Sequence, residues 1–95
     1  DARRYQERGM PLDAAVDSEL APSTADAYQS SGIGSLVMGH LLPLLRRLGR
    51  RRLALVGGVR GDNPRAIHFY EKFGFAKVGE FQSRDVVSFD MIAAL

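Results

Sequence analysis

Residues 63–75 read NPRAIHFYEKFGF, and almost every position in that stretch carries a local structural instruction. Asn63 is a residue type that accepts hydrogen bonds from the first free amides of a helix. Pro64 behind it has its φ preset for the first helical position and lacks the N–H that a first turn leaves unpaired. Ala66, Ile67, Tyr70 and Phe73 then recur at the three- and four-residue spacing of one helix face. Gly74 ends the pattern. The stretch predicts a short helix that starts at Asn63, turns an aromatic stripe inward and stops at a glycine.

Working outward from it, residues 53–59, LALVGGV, form a short apolar run rich in branched side chains, which predicts a buried strand. Its glycine pair marks a bulge or a close backbone approach. Further upstream, Ile33, Leu36, Val37, His40, Leu41, Leu44, Leu45 and Leu48 follow the i, i+3, i+4, i+7 spacing of one helix face. This predicts a helix over residues 34–48, bent near residues 39–43 by Pro43 and capped by Gly49. Downstream, residues 76–82 and 86–93 read as two strands of an antiparallel hairpin joined by Ser83, Arg84 and Asp85. Residues 1–24 alternate weakly and read as two strands joined by a loop, with Pro22 at an edge or bulge. If residues 16–24 supply the first strand, the order strand, helix, strand favours a parallel pair with a right-handed crossover. The expected class is α/β with a mixed sheet.

Composition bounds what such a fold can do. At 95 residues the chain is expected to form a single domain over 1–95, small enough that its core is modest. With 45% hydrophobic and 25% charged residues it is an ordinary globular composition. Thirteen Lys and Arg against eleven Asp and Glu leave a net charge of +2, too little to imply a nucleic-acid or anionic-membrane surface. There is no cysteine, which excludes disulfides, thiolate catalysis and Cys-ligated zinc and suits a reducing compartment, so the cytoplasm is the expected location. The apolar run of residues 36–45 is interrupted by Gly39, His40 and Pro43 and is too short to span a bilayer.

Residues 29–35, QSSGIGS, place two glycines where the long helix is about to start. Glycine costs about 1 kcal/mol against alanine in a helix interior, so the pair serves either a plain turn or a backbone-mediated purpose. A Gly-x-Gly turn entering a helix leaves N–H groups pointing outward at the positive end of the helix dipole, which is a phosphate-binding arrangement. About thirty residues later comes Asn, two residues, Ala, three residues, Tyr, and then Gly-Phe after three more. This pair of motifs, in this order and spacing, resembles the GNAT superfamily of N-acetyltransferases. The resemblance is strongest over residues 25–82.

The resemblance implies transfer of an acetyl group from acetyl-coenzyme A to a primary amine of a small molecule or protein, with no metal, nucleic acid or membrane involved. The family's pyrophosphate loop, Gln or Arg, two residues, Gly, any, Gly or Ala, falls on Gln29, Ser30, Ser31, Gly32, Ile33 and Gly34, with Ser35 completing the amide cradle. Ser31 stands where many members carry a basic residue. By the same resemblance Val56, in the strand that splays from its neighbour to admit the coenzyme, lies beside the pantetheine arm. Asn63 and Ala66 of the second motif fall at the coenzyme too. Tyr70 takes the place of the acid that protonates the departing thiolate, for which a phenol of pKa near 10 is suited. Residues 18–27, SELAPSTADA, resemble the strand before the loop in bacterial acetyltransferases that modify protein lysines, and Glu19 falls where many members carry the general base. The family has a further strand and two helices before these elements, so the chain is expected to be truncated at its N-terminus. The sheet edge left by that truncation favours a homodimer. The alternative function is a non-catalytic acyl-coenzyme-binding or regulatory module.

Other conspicuous residues read as structural. His40 and His68 have no partner at metal-ligand spacing. Arg46, Arg47, Arg50, Arg51 and Arg52 fall at the far end of a helix roughly 22 Å long, where they complement its C-terminus on a solvated face. Phe69, Phe73, Phe75, Phe81 and Phe89 are expected in the core. Arg60-Gly61-Asp62 precedes a helix cap and carries no adhesion signal.

Overall fold

The structure, a computed structural model, describes residues 3–20, 32–83 and 85–95. Their elements run α1 (Arg3–Glu7), β1 (Asp17–Leu20), α2 (Ile33–Arg47), β2 (Arg52–Leu55), β3 (Val59–Arg60), α3 (Pro64–Lys72), β4 (Phe75–Ser83) and β5 (Val86–Ala94). The five strands form one mixed sheet. β1 and β2 are parallel, with Asp17 opposite Arg52 and Leu20 opposite Leu55. β5 is the spine: β2 and β3 both pair antiparallel with one of its edges, and β4 pairs antiparallel with the other. The α/β class, the parallel pair and the terminal hairpin thus follow the sequence pattern. Arg84, in the hairpin turn, lies outside the described residues.

Strand alternation sends Leu53, Leu55, Met91 and Ala93 to one face of the sheet, where they meet Met38 and Leu42 of α2, Ala66 and Tyr70 of α3, and Phe75. Fully burying a side chain such as leucine contributes about 1.5–3 kcal/mol. The opposite face presents Ala54 and Ile92 to Tyr5 of α1, with Met10, Leu12, Val56 and Val78 packed around them.

Both long helices end as their sequences predict. After α2, Gly49 adopts φ 80°, its N–H donates to the Arg46 carbonyl and that of Arg50 reaches the Leu45 carbonyl, closing a Schellman turn. The Asn63 side chain accepts from the Ala66 N–H at 3.1 Å, and Pro64 opens α3. No helix among the described residues is long and apolar enough to cross a membrane.

Four expectations need correction. Of the two strands expected in residues 1–24, the described residues 3–20 hold one, β1, and residues 3–7 form a helix that docks on the sheet. The strand expected over residues 53–59 is divided into β2 and β3 at the glycine pair. The buried stripe of α2 runs through Gly34, Met38 and Leu42, with Leu41 and Leu45 at its margin. Leu36, Val37, His40, Leu44 and Leu48, assigned to the inner face, are exposed. The segment is apolar almost all round, so periodicity alone does not choose the face. Finally, Arg50 and Arg52 are half-buried and paired rather than spread on a solvated face. The Arg50 guanidinium donates to the carbonyls of Ala14, Ala15 and Asp17 and to Ser18 Oγ, while Arg52 pairs with Asp17 at 2.6 Å. Arg46 and Arg47 remain exposed in the last turn of α2.

Candidate functional site

α2 begins in an unusual way. Its N-cap is Gly32, at φ 79° and ψ −8°, and among the described residues no side chain caps it. A β-carbon there would have no heavy atom within 4 Å, and the residue is exposed. No side chain of the described residues therefore caps the first N–H groups of the helix, which stand at the positive end of its dipole. Only glycine adopts this left-handed geometry without strain. Gly34, the second residue of the helix, is buried and Ser35 half-buried. Gln29, Ser30 and Ser31 lie outside the described residues, as does most of the 18–27 segment. For Ile33 the helix start is the described feature.

The next feature is the break between β2 and β3. Val56 is half-buried and its N–H donates to the Leu20 carbonyl at 3.0 Å, the last described bond between β1 and β2. Gly57 and Gly58 follow with φ 92° and 82°. Gly57 is exposed, whereas a β-carbon on Gly58 would fall 2.4 Å from the Phe81 ring. Bulge and close approach, the two readings of the glycine pair, both hold.

α3 carries the third feature. Tyr70 is 0% exposed and meets Phe69 and Phe75 edge-on, with ring centroids 5.3 and 5.5 Å away. It belongs to the core beneath the sheet, with Ala66 buried one turn before it. Asn63 is half-buried and its side-chain oxygen is engaged in capping. On β1, Glu19 is exposed, opposite Ala54. His40 and His68 are both exposed, on α2 and α3 respectively.

Sequence reasoning missed a group of side chains on α1. Asp90 of β5 is fully buried and is clamped by two arginines one helical turn apart. Arg4 Nε reaches both its oxygens at 3.0 and 3.1 Å, and Arg8 reaches Oδ2 through Nε at 3.2 Å and Nη2 at 3.1 Å. Arg8 also donates to the Glu80 carbonyl and crosses β4 where Gly79 leaves room, a β-carbon there falling 2.1 Å from the guanidinium. Between the arginines, the hydroxyl of the buried Tyr5 lies 2.5 Å from the Leu55 carbonyl oxygen and 2.9 Å from that of Met91. Burial, reinforced by the negative charge of Asp90, pushes this phenol well above its usual range. The i, i+4 spacing of Arg4 and Arg8 was visible; that their partner lies more than eighty positions away was not. At the other end of the sheet, the hydrogen bond from Arg52 holds the Asp17 carboxyl below the usual carboxylate range.

Residues 23–75 match the Acetyltransferase (GNAT) family. Among solved structures, the chain is similar to Ard1 from Thermoplasma volcanium, with 29% identity and a TM-score of 0.60 over 73% of this chain and 47% of that one. It is also similar to a chimera of the spermidine N-acetyltransferase SpeG from Vibrio cholerae and hSSAT. That match has 23% identity and a TM-score of 0.58, over 72% of this chain and 46% of that one, and it speaks to the fold alone. The chain spans less than half the length of either. No curated protein sequence matches it.

Proposed function

We propose that this chain, which belongs to the acetyltransferase (GNAT) family, transfers an acetyl group from acetyl-coenzyme A to an amine of a small molecule or protein. The observation that carries the reading is the mouth of α2, a left-handed glycine that, among the described residues, has no side-chain cap and open space around it. Such a mouth offers main-chain donors and a partial positive charge to a diphosphate. In this reading residues 29–35 hold the pyrophosphate, and Val56 and the glycine pair run beside the pantetheine arm. Asn63 and Ala66 border that arm from the start of α3. Family membership and the likeness to Ard1 support acyl transfer in general.

The chemistry asked of the chain is limited. The amine nitrogen attacks the thioester carbonyl, a C–N bond forms as the C–S bond breaks, and the sulfur leaves with the electron pair. Tyr70 donates its phenolic proton to that sulfur and is restored from solvent. Glu19, exposed on β1, or a water relay takes the proton the amine must lose first. Holding amine and thioester together supplies much of the rate. The cysteine-free composition fits a reducing compartment, and the cytoplasm is the location this reading assigns.

One observation favours a second reading. Tyr70 is completely buried among aromatic rings, as suits a core tyrosine in a module that binds acyl-coenzyme without turning it over. Calorimetry with acetyl-coenzyme A, followed by thiol release across amine classes, separates the two. The enzyme reading expects binding, thiol release with at least one amine, and a fall in turnover on the order of 10² in Tyr70→Phe, with coenzyme affinity nearly unchanged. Binding without thiol release leaves the module reading. No binding ends both.

A further inference from the structure

On the edge that β5 shares with β2 and β3, pairing is interrupted at one place. Ala54 stands opposite Ile92 and Val59 opposite Phe89, so residues 55–58 face only residues 90–91. Two residues are in excess on the β2–β3 side, and the ladder bonds that would hold Leu55 and Met91 are lost there. The Tyr5 hydroxyl lies within hydrogen-bond distance of those two carbonyls. Its proton comes from a helix anchored to the adjacent residue, since Arg4 and Arg8 grip Asp90.

The Leu55 carbonyl and the Val56 N–H belong to one planar peptide unit. The carbonyl end is bonded to Tyr5 on α1, and the N–H end to the Leu20 carbonyl on β1. One peptide further on come Gly57 and Gly58, whose backbones have little stiffness of their own. The orientation of that one plane sets the direction in which the chain leaves β2 and the way residues 56–58 present their main-chain groups.

We propose that Tyr5 is a positioning residue for the coenzyme. By holding the Leu55 carbonyl it fixes the main chain of residues 56–58, beside which the pantetheine arm lies; this rests on the reading of Val56 as part of the coenzyme site. α1 is then part of the binding apparatus although none of its side chains reaches the coenzyme. Tyr5 supplies no proton to the reaction: its phenol is buried and engaged with two carbonyls.

The test uses the full chain and two variants. Tyr5→Phe keeps the ring and removes only the hydroxyl. Gly49→Ala strains the turn that ends α2, at the end away from its mouth, where φ is 80° and a β-carbon meets nothing within 4 Å, so neither α1 nor Leu55 is touched. For Tyr5→Phe the dissociation constant and KM for acetyl-coenzyme A are expected to rise roughly fivefold to tenfold, the range of one net hydrogen bond, with kcat little changed. Amide exchange at Val56, Gly57 and Gly58 accelerates with them. Gly49→Ala is expected to lower thermal stability while leaving the dissociation constant within about twofold. Equal affinity in Tyr5→Phe and the unsubstituted chain overturns the proposal, and so does an equal loss in Gly49→Ala. Should Tyr5→Phe fail to fold, amide signals of the unsubstituted chain decide: acetyl-coenzyme A is expected to shift those of residues 56–58, and unmoved signals overturn the role. An unsubstituted chain that does not bind acetyl-coenzyme A refutes the coenzyme reading itself, a result distinct from binding that ignores Tyr5.

Discussion

Gly57 and Gly58 form a matched pair for separating backbone strain from steric exclusion. Both have positive φ, so alanine at either imposes left-handed strain of about 1–2 kcal/mol. At Gly57 that is the whole effect, because a β-carbon there meets nothing within 4 Å. At Gly58 the added carbon would fall 2.4 and 2.7 Å from Phe81 Cζ and Cε1 and 3.0 Å from Ser88 Cβ. The Phe81 ring is not free to swing aside: the Arg4 guanidinium lies 3.7 Å from its centroid, and its strand is paired with β5 at Ser88. Overpacking of this kind adds about 1–3 kcal/mol. Gly57→Ala is therefore expected to cost about 1–2 kcal/mol and Gly58→Ala about 2–5 kcal/mol. Urea unfolding reads both, as shifts in midpoint at constant slope. In a Phe81→Ala background the excess cost at Gly58 is expected to vanish while the cost at Gly57 stays, a coupling that a double-mutant cycle isolates. Equal midpoints for the two single variants, or no coupling to Phe81, would refute the reasoning.

Two further outcomes follow from the buried carboxylates. Asp90→Asn keeps the shape but leaves Arg4 and Arg8 facing a neutral group. The expected cost is about 2–3 kcal/mol by denaturant midpoint, short of the ~3–5 for a fully buried pair because those arginines are 23% and 26% exposed. Asp17 has its folded pKa depressed by Arg52, so its contribution is complete above the unfolded carboxylate pKa of about 4 and is lost as pH falls through the lower, folded value. Unfolding midpoints measured from pH 6 downward are expected to fall less steeply in Asp17→Asn than in the unsubstituted chain, and parallel curves would contradict the assignment.

Punctuation was legible in the chain because its causes lie within a few residues. Asn63 and Pro64 start α3 through groups three positions away, and Gly49 and Gly74 stop helices by their own φ. The hairpin of β4 and β5 and the parallel pair of β1 and β2 followed from apolar runs and their order. The glycine loop and the second motif were likewise legible as a family pattern, and the family match covers both. The inner face of α2 was not legible: with Leu, Val and Met on nearly every side, many rotations about the helix axis satisfy the same spacing. The short α1 was hidden because five residues carry too little periodicity to distinguish a helix from an irregular segment.

What the sequence determined by itself was therefore the set of elements, their order and the residue types offered at the mouth of α2. Tertiary structure decided which side of α2 is dry and that Arg50 and Arg52 fasten the first strand. It also decided that Tyr70 is wholly enclosed and that α1 supplies a hydroxyl to a gap in the sheet. The arginine and hydroxyl contacts depend on partners thirty to ninety positions distant. A side chain's own neighbours in the chain do not encode which charge, ring or carbonyl the folded sheet will set against it, because burial and pairing are properties of the packed whole.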